Sequence, residues 1–415
     1  MLDLPTALAR LAALPLTSRT ERVPLARARG RVLAEAVRMD RDQPAFDRAT
    51  MDGYAVALDG GRTEFTVRGV VAAGGSFHGT LAPGEAVRIM TGAPVPAGAR
   101  VVPIELTSAG AAHVPGGGTA APAAPAVAAV LDPAALAPRR NIARRGEDAR
   151  AGDTLLAPGT RLGPLHVAAA AMAGARELTV ACAPRLAIVT TGDEVGRDSE
   201  AGVRDTNGPL LEGLAAELGV TTTREHAVDE AEVLAAALAR AAANADVVVT
   251  TGGVSMGDKD LVPWAAARLG FETVFHRVAI QPGKPAFLAR RAGGALLFGL
   301  PGNPVSVLAT AHLFLVPALD RLVGREGSRW LTLTMGESHR HDGKRHLFLP
   351  AVVDGGLVRP IRWNGSGDLF SAAAGDGLLD LPVGASFERG APARVLPYVG
   401  HAFGERGLLP PREPR

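Results

Sequence analysis

The sequence predicts a multidomain α/β plus β protein: a doubly wound parallel-sheet domain, a small β domain inserted into an N-terminal α/β segment, and a small C-terminal β-barrel. Three observations carry this. Between Pro184 and Gly324, apolar β-branched runs alternate with amphipathic stretches, as in parallel strands covered on both faces. On either side, short alternating segments are punctuated by glycine and proline turns. The 415 residues, 47% hydrophobic and 21% charged, hold enough apolar material for several cores.

Taken in order, Asp3 and Pro5 precede an amphipathic stretch, Thr6–Leu14, that reads as a capped helix. A short strand and another helix are expected across Val23–Val37, with Pro44 ending the pattern. From Ala55 the period changes to two, and Phe65–Val71 and Ala86–Met90 read as strands of a small antiparallel domain. Residues 109–127 are almost all Ala, Gly, Pro and Val, too poor in large side chains to pack, and read as a loop. Leu162–Ala173 looks helical. The doubly wound region then runs through LAIVTTGDEV, a helix at Gly208–Leu218, DVVVTTGGVSMGD, a helix at Val262–Leu269, and a strand at Ala295–Phe298 leading into a helix at Val305–Val316. Trp330–Met335, His346–Val353 and Ala393–Pro397 return to short strands. The expected domains are 1–45 with 139–180, an inserted 46–138, 181–325, 326–403, and a tail from 404.

Composition excludes several classes. The 44 basic and 42 acidic side chains are spread along the chain, unlike the basic face of a nucleic-acid binder, so no nucleic acid partner is expected. The single cysteine, Cys182, permits neither an internal disulfide nor a thiolate metal site and reads as a small buried apolar residue. The opening residues lack the basic region and long apolar run of a signal peptide, and no uninterrupted apolar stretch reaches the roughly 20 residues of a membrane helix. A cytoplasmic protein with no membrane partner is expected.

The most informative local feature is an internal echo. VTTGDEV at 189–195 and VTTGGVSMGDKD at 249–260 each follow an apolar strand, and such loops meet at the carboxyl ends of an open α/β sheet, where ligands bind. Gly192, Gly252 and Gly253 let backbone N–H groups approach an anion, and Thr190, Thr251 and Ser255 offer hydroxyl donors. Each copy alone is ordinary strand-to-helix punctuation. A third strand ends in GLPGNPVS, where Asn303 suits an N-cap and Pro304 the first helical position, while Pro301 stiffens the loop around Gly302. A helix start after a glycine-rich loop presents free N–H groups to an oxyanion. Carboxylates crowd these loop ends: Asp193, Glu194, Asp205, Asp258 and Asp260. Oxygen ligands of this kind suit Mg2+ beside a phosphate, although Asp205 before Thr206 and Asn207 also reads as a simple cap. Lys284 lies between two prolines that place one ammonium group, without the spacing of a phosphate-binding P-loop. The HRHDGKRH cluster at 339–346 reads as a solvated turn.

Together FDRATMDGYA, RIMTGAPVP, NIARRGED, TTGDE, DTN, TTGGVSMGDKD, AIQPGKP and GLPGNPVS, in this order over nearly the whole chain, resemble the MoeA and gephyrin E-domain family of molybdopterin molybdenumtransferases. The resemblance implies a homodimer acting on small molecules: molybdate is inserted into adenylylated molybdopterin and AMP is released with a divalent cation, Mg2+. It implies a molybdopterin adenylyltransferase and apo-molybdoenzymes as protein partners. By motif it places Asp52 and Thr91 on the small β domain facing the site. Asp148, Glu194, Asp205 and Asp260 take acidic or metal-binding positions, and Lys284, Ser306 and Arg345 line the molybdate pocket. Two departures are visible: the family often has lysine where Gln281 stands and a hydroxyl residue where Phe370 stands. A nucleotide-consuming adenylyltransferase and a non-catalytic molybdopterin-binding scaffold are the alternative readings.

Overall fold

The computed structural model describes residues 1–58, 60–108, 127–137, 141–196, 202–254 and 261–401. The loop expected at 109–127 therefore lies outside the described residues, except for Val127, as does the whole of the tail from 404. The chain forms two compact units, one of residues 1–35, 158–163 and 177–415, the other of residues 36–157 and 164–176.

In the first unit, the opening helix Leu4–Ala12 begins where Asp3 accepts a hydrogen bond from the Thr6 N–H at 2.8 Å, and it buries Leu4, Ala7 and Leu11 at helical spacing. The expected helix across Val23–Val37 does not form. Thr20–Pro24 is a strand paired antiparallel with Glu177–Ala181, followed by a short 3-10 turn at Leu25–Arg27. Gly30 sits at φ +81°, outside helical geometry, with its N–H donated to Leu162 O, and Leu33 bridges Val180.

The central sheet holds six strands. Four are parallel, in the order Thr221–Ala227, Arg185–Thr191, Val247–Thr251 and Leu296–Leu300. The sheet is mixed rather than wholly parallel, because Phe287–Arg290 and Glu272–His276 add an antiparallel edge. Strand alternation divides the core into two layers. Leu186, Ile188, Val247 and Val249 face one side with the helices Asn207–Leu218 and Pro304–Thr310, whereas Ala187, Val189 and Val248 face Ala231–Asn244 and Leu261–Arg268. The helix after the third loop continues to Leu322 through a π-helical stretch, Ala311–Leu315. By length and composition its 19 residues could cross a membrane, but 78% of it is buried inside the protein, where it forms the core's spine.

Five strands, Leu331–Met335, His346–Asp354, Leu357–Pro360, Gly377–Leu381 and Pro392–Pro397, close into a barrel filled by Met335, Leu349, Val358, Leu379 and Val395. A short strand, Ile280–Gln281, pairs in parallel with His346–Leu347 and ties a loop of the doubly wound layer to this barrel.

The second unit is built on a five-stranded sheet with Gly53–Val56 between Arg100–Pro103 and Glu85–Ile89. Glu64–Val71, between Glu85–Ile89 and the edge strand Val127–Ala129, runs parallel to Glu85–Ile89, so this sheet is also mixed. A Cβ on Gly53 would overlap the carbonyl oxygen of Val102. Gly53→Ala is therefore expected to cost about 2 kcal/mol through strand displacement, read as a lowered denaturant midpoint. An unchanged midpoint would show that the strand shifts freely.

Candidate active site

The carboxyl ends of Arg185–Thr191, Val247–Thr251 and Leu296–Leu300 bring three loops together. The Gly252 N–H donates to Leu300 O at 2.9 Å, and the Thr191 hydroxyl donates to Thr251 O at 3.2 Å. Gly252 has φ +96°, and a Cβ there would stand 2.6 Å from the Thr191 hydroxyl, so this close stacking requires glycine. Gly302 approaches the same backbone, its nearest neighbour being the Gly252 Cα at 3.9 Å from an added Cβ.

The loops after the second and third of these strands floor a cavity of about 500 Å3 within the first unit, and Gly192 of the first loop does not line it. Gly252, Gly253, Pro301, Gly302, Asn303 and Ser306 line it from the sheet side. Lys284 enters on the Gln281–Pro285 loop and Arg345 from the barrel. That loop is held at several points. The Val278 N–H donates to Lys284 O at 3.0 Å, Gly283 at φ +107° fits where a Cβ would stand 2.5 Å from Thr310, and Ile280–Gln281 pairs with the barrel. Arg345 donates to Ile280 O and to the Gln281 side-chain oxygen, both at 3.4 Å. Gln281 thus orients a cation with a neutral acceptor.

Asn303 occupies the N-cap position with extended backbone, but its side chain makes no capping bond; its amide donates to Ser366 Oγ at 2.8 Å. The first-turn Val305 N–H instead donates to Ser366 O at 3.0 Å. Ser366, with Trp363 and Gly365, completes the cavity from a barrel loop that motif spacing alone did not mark; its place in GSGDLFS was the available signal. Phe370 is 66% exposed and does not line the cavity.

Other predicted residues lie elsewhere. The Thr190 hydroxyl is 3.2 Å from the His226 ring, and Thr251 is buried, so neither hydroxyl faces the cavity. Pro304 opens the helix. Glu194 lies beside Gly192, whose added Cβ would stand 2.9 Å from its carboxylate. Asp205 accepts the N–H groups of Asn207 and Gly208 at 3.1 and 2.9 Å through one oxygen, and Arg224 at 3.1 Å through the other. Ser255, Asp258 and Asp260 lie outside the described residues. Among the described residues no three carboxylates, histidines or cysteines gather as a metal site.

In the second unit, Asp52 accepts hydrogen bonds from both the backbone N–H and the hydroxyl of Thr91, at 2.6 and 2.7 Å. Asp148 is 3.8 Å from Arg48. Two expectations require correction. The 339–346 histidines are not a solvated turn: His341 is buried against Arg345 O, and His346 pairs with the buried Asp380. Cys182 is half-buried rather than enclosed.

A doubly wound sheet whose glycine-rich loops and cationic side chains converge at the strands' carboxyl ends defines a class of protein with a site suited to anionic small molecules. Family models match residues 2–174 as the MoeA N-terminal region (domain I and II), 187–321 as a probable molybdopterin binding domain, and 332–398 as the MoeA C-terminal region (domain IV). The chain is 35% identical to molybdopterin molybdenumtransferase of Bacillus subtilis, covering 72% of this chain and 70% of the relative. It is 33% identical to molybdopterin molybdenumtransferase 2 of Mycobacterium tuberculosis, covering 87% and 90%. It belongs to the MoeA family of molybdopterin molybdenumtransferases, transferases of molybdenum cofactor biosynthesis. Crystal structures of the molybdopterin biosynthesis MoeA protein from Pyrococcus horikoshii superpose with TM-scores of 0.77 and 0.79, at 31% and 28% identity, covering 97% and 96% of this chain and 100% of each neighbour.

Proposed function

We propose that the chain inserts molybdate into the dithiolene of adenylylated molybdopterin and releases AMP. The observation that carries this is the joining of Lys284 and Arg345 in one cavity floored by Gly252, Gly253 and Gly302. Molybdate is a dianion, and two cations with oriented N–H groups suit it. Cleaving a phosphoanhydride develops charge on phosphoryl oxygens, which groups fixed in advance stabilise without reorganising.

Mg2+ belongs to the proposal with Glu194, Asp205, Asp258 and Asp260 as its carboxylates. The described residues fit it incompletely. Asp205 is committed to two backbone donors and Arg224, so a cation there competes with that guanidinium. Asp52, Thr91 and Asp148 enter as further catalytic positions, Asp52 fixed by its two bonds from Thr91. A cytoplasmic homodimer that receives its pterin from an adenylyltransferase and passes its product to apo-molybdoenzymes completes the reading.

The test is incubation with adenylylated molybdopterin, molybdate and Mg2+, following AMP release and metal insertion together. Coupled appearance of both is expected. AMP release without insertion, or consumption of free nucleotide, would replace the proposal with a hydrolase or an adenylyltransferase. Gln281→Leu, which removes the acceptor for Arg345, is expected to raise the half-saturating molybdate about threefold. No change would detach Arg345 from molybdate.

A further inference from the structure

The first unit holds a second cavity, of about 520 Å3, at the opposite end of the same sheet. Its position follows from the strand register. Arg185 opens one parallel strand, Asp246 precedes the next, and Leu296 opens the third beside Arg290. The antiparallel pairing of Thr20–Pro24 with Glu177–Ala181 adds Arg19 and Cys182, joined by a bond from the Cys182 N–H to Arg19 O at 2.7 Å. Arg291 completes the lining.

Four guanidinium groups thus face one lining carboxylate, and with Glu272 paired to Arg290 the local excess is two positive charges. Asp246 accepts from Arg185 at 3.0 and 3.3 Å and from Arg19 at 3.2 Å, which fixes two of the forks. Arg290 reaches Glu272 at 3.4 Å, and Arg291 donates to Ala242 O at 3.3 Å while lying over Phe271. Each guanidinium has five N–H donors, so these contacts leave donors over in every one. Nothing in the proposed transferase reaction uses this end of the sheet.

We propose that this cavity is a second anion site, which takes a small molecule bearing a diphosphate group. Planar guanidinium forks match phosphoryl oxygens two at a time, and two pairs of arginines, Arg19 with Arg185 and Arg290 with Arg291, offer a set of forks to each of two phosphoryl groups. The Asp246 carboxylate acts as a brace for two arginines and makes no contact with the ligand.

Cys182 lines the cavity and is the chain's only cysteine, so a neutral thiol reagent reports on this site alone. With the intact protein, N-ethylmaleimide labelling of Cys182 is expected to slow several-fold in sodium pyrophosphate. Sodium chloride at matched ionic strength should leave the rate unchanged, and inorganic phosphate should protect more weakly than pyrophosphate. Arg19→Gln with Arg290→Gln should abolish the protection while far-ultraviolet circular dichroism stays native, and Arg290→Gln alone serves if the pair fails to fold. A thiol unreactive in the free protein, equal protection by chloride, or protection retained in the folded variant each overturns the site. Equal protection by phosphate and pyrophosphate overturns the diphosphate assignment. Pyrophosphate bound only at the candidate active site leaves Cys182 labelling unchanged, and so also counts against the proposal.

Discussion

Lys284→Ala is expected to lower the rate at limiting molybdate by roughly ten- to a hundredfold, the equivalent of one lost hydrogen bond to a charged group. Pterin binding should be nearly unchanged. The ammonium lines the cavity on a loop held by the Val278 N–H, by Gly283 against Thr310 and by strand pairing, so truncating it removes a charge without loosening its support. AMP release measured against molybdate concentration, beside a direct titration of the adenylylated pterin, separates the two effects. If the variant binds the pterin poorly but keeps its molybdate dependence, Lys284 meets the phosphate and not the metal oxyanion.

Acid is expected to destabilise the first unit through His312. This ring is 3% exposed on the π-helical stretch. The Val399 N–H donates to Nε2 at 3.0 Å, which makes that nitrogen an acceptor, so the proton sits on Nδ1 and is donated to Leu308 O at 2.8 Å. Burial pushes the pKa down to about 4; the bond to the Leu308 carbonyl opposes the shift, and the charge of Arg329 adds to it. Because the folded pKa lies below the unfolded one, the unfolded chain takes up the proton first as pH falls. The His312 contribution is intact above about pH 6.5 and shrinks between there and about 4, by about 3 kcal/mol in all. Denaturant midpoints across this window should fall in the parent and fall less in His312→Gln. Equal slopes would remove His312 as the cause.

What was legible in the sequence was what local pattern controls. The β-branched runs before TTGDE and TTGGV became buried strands because each is apolar on both faces, and the prolines around Lys284 marked a rigid loop. The misread helix across Val23–Val37 shows where local pattern fails. Its segment is held by Leu33 against Val180 and by the Gly30 bond to Leu162, contacts more than a hundred residues away along the chain. Ser366 was hidden for the same reason: it meets Asn303 across 63 residues, and no periodicity records that. The antiparallel edge escaped notice because Phe287–Arg290 has only four residues, too few for alternation to stand out.

The parallel pairing of Ile280–Gln281 with His346–Leu347 fixes the spacing of the two backbone segments that carry Lys284 and Arg345. The arrangement works as a caliper with its hinge locked. A clamp built from two flexible side chains would close on any oxyanion, whereas jaws set by a strand ladder grade their guests by size. If molybdate is the guest, as proposed, tungstate of nearly the same size should pass such a gauge and the smaller sulfate should sit in it loosely. On that proposal, selectivity against sulfate is expected to shift with changes in the barrel that move this two-residue ladder without touching the cavity.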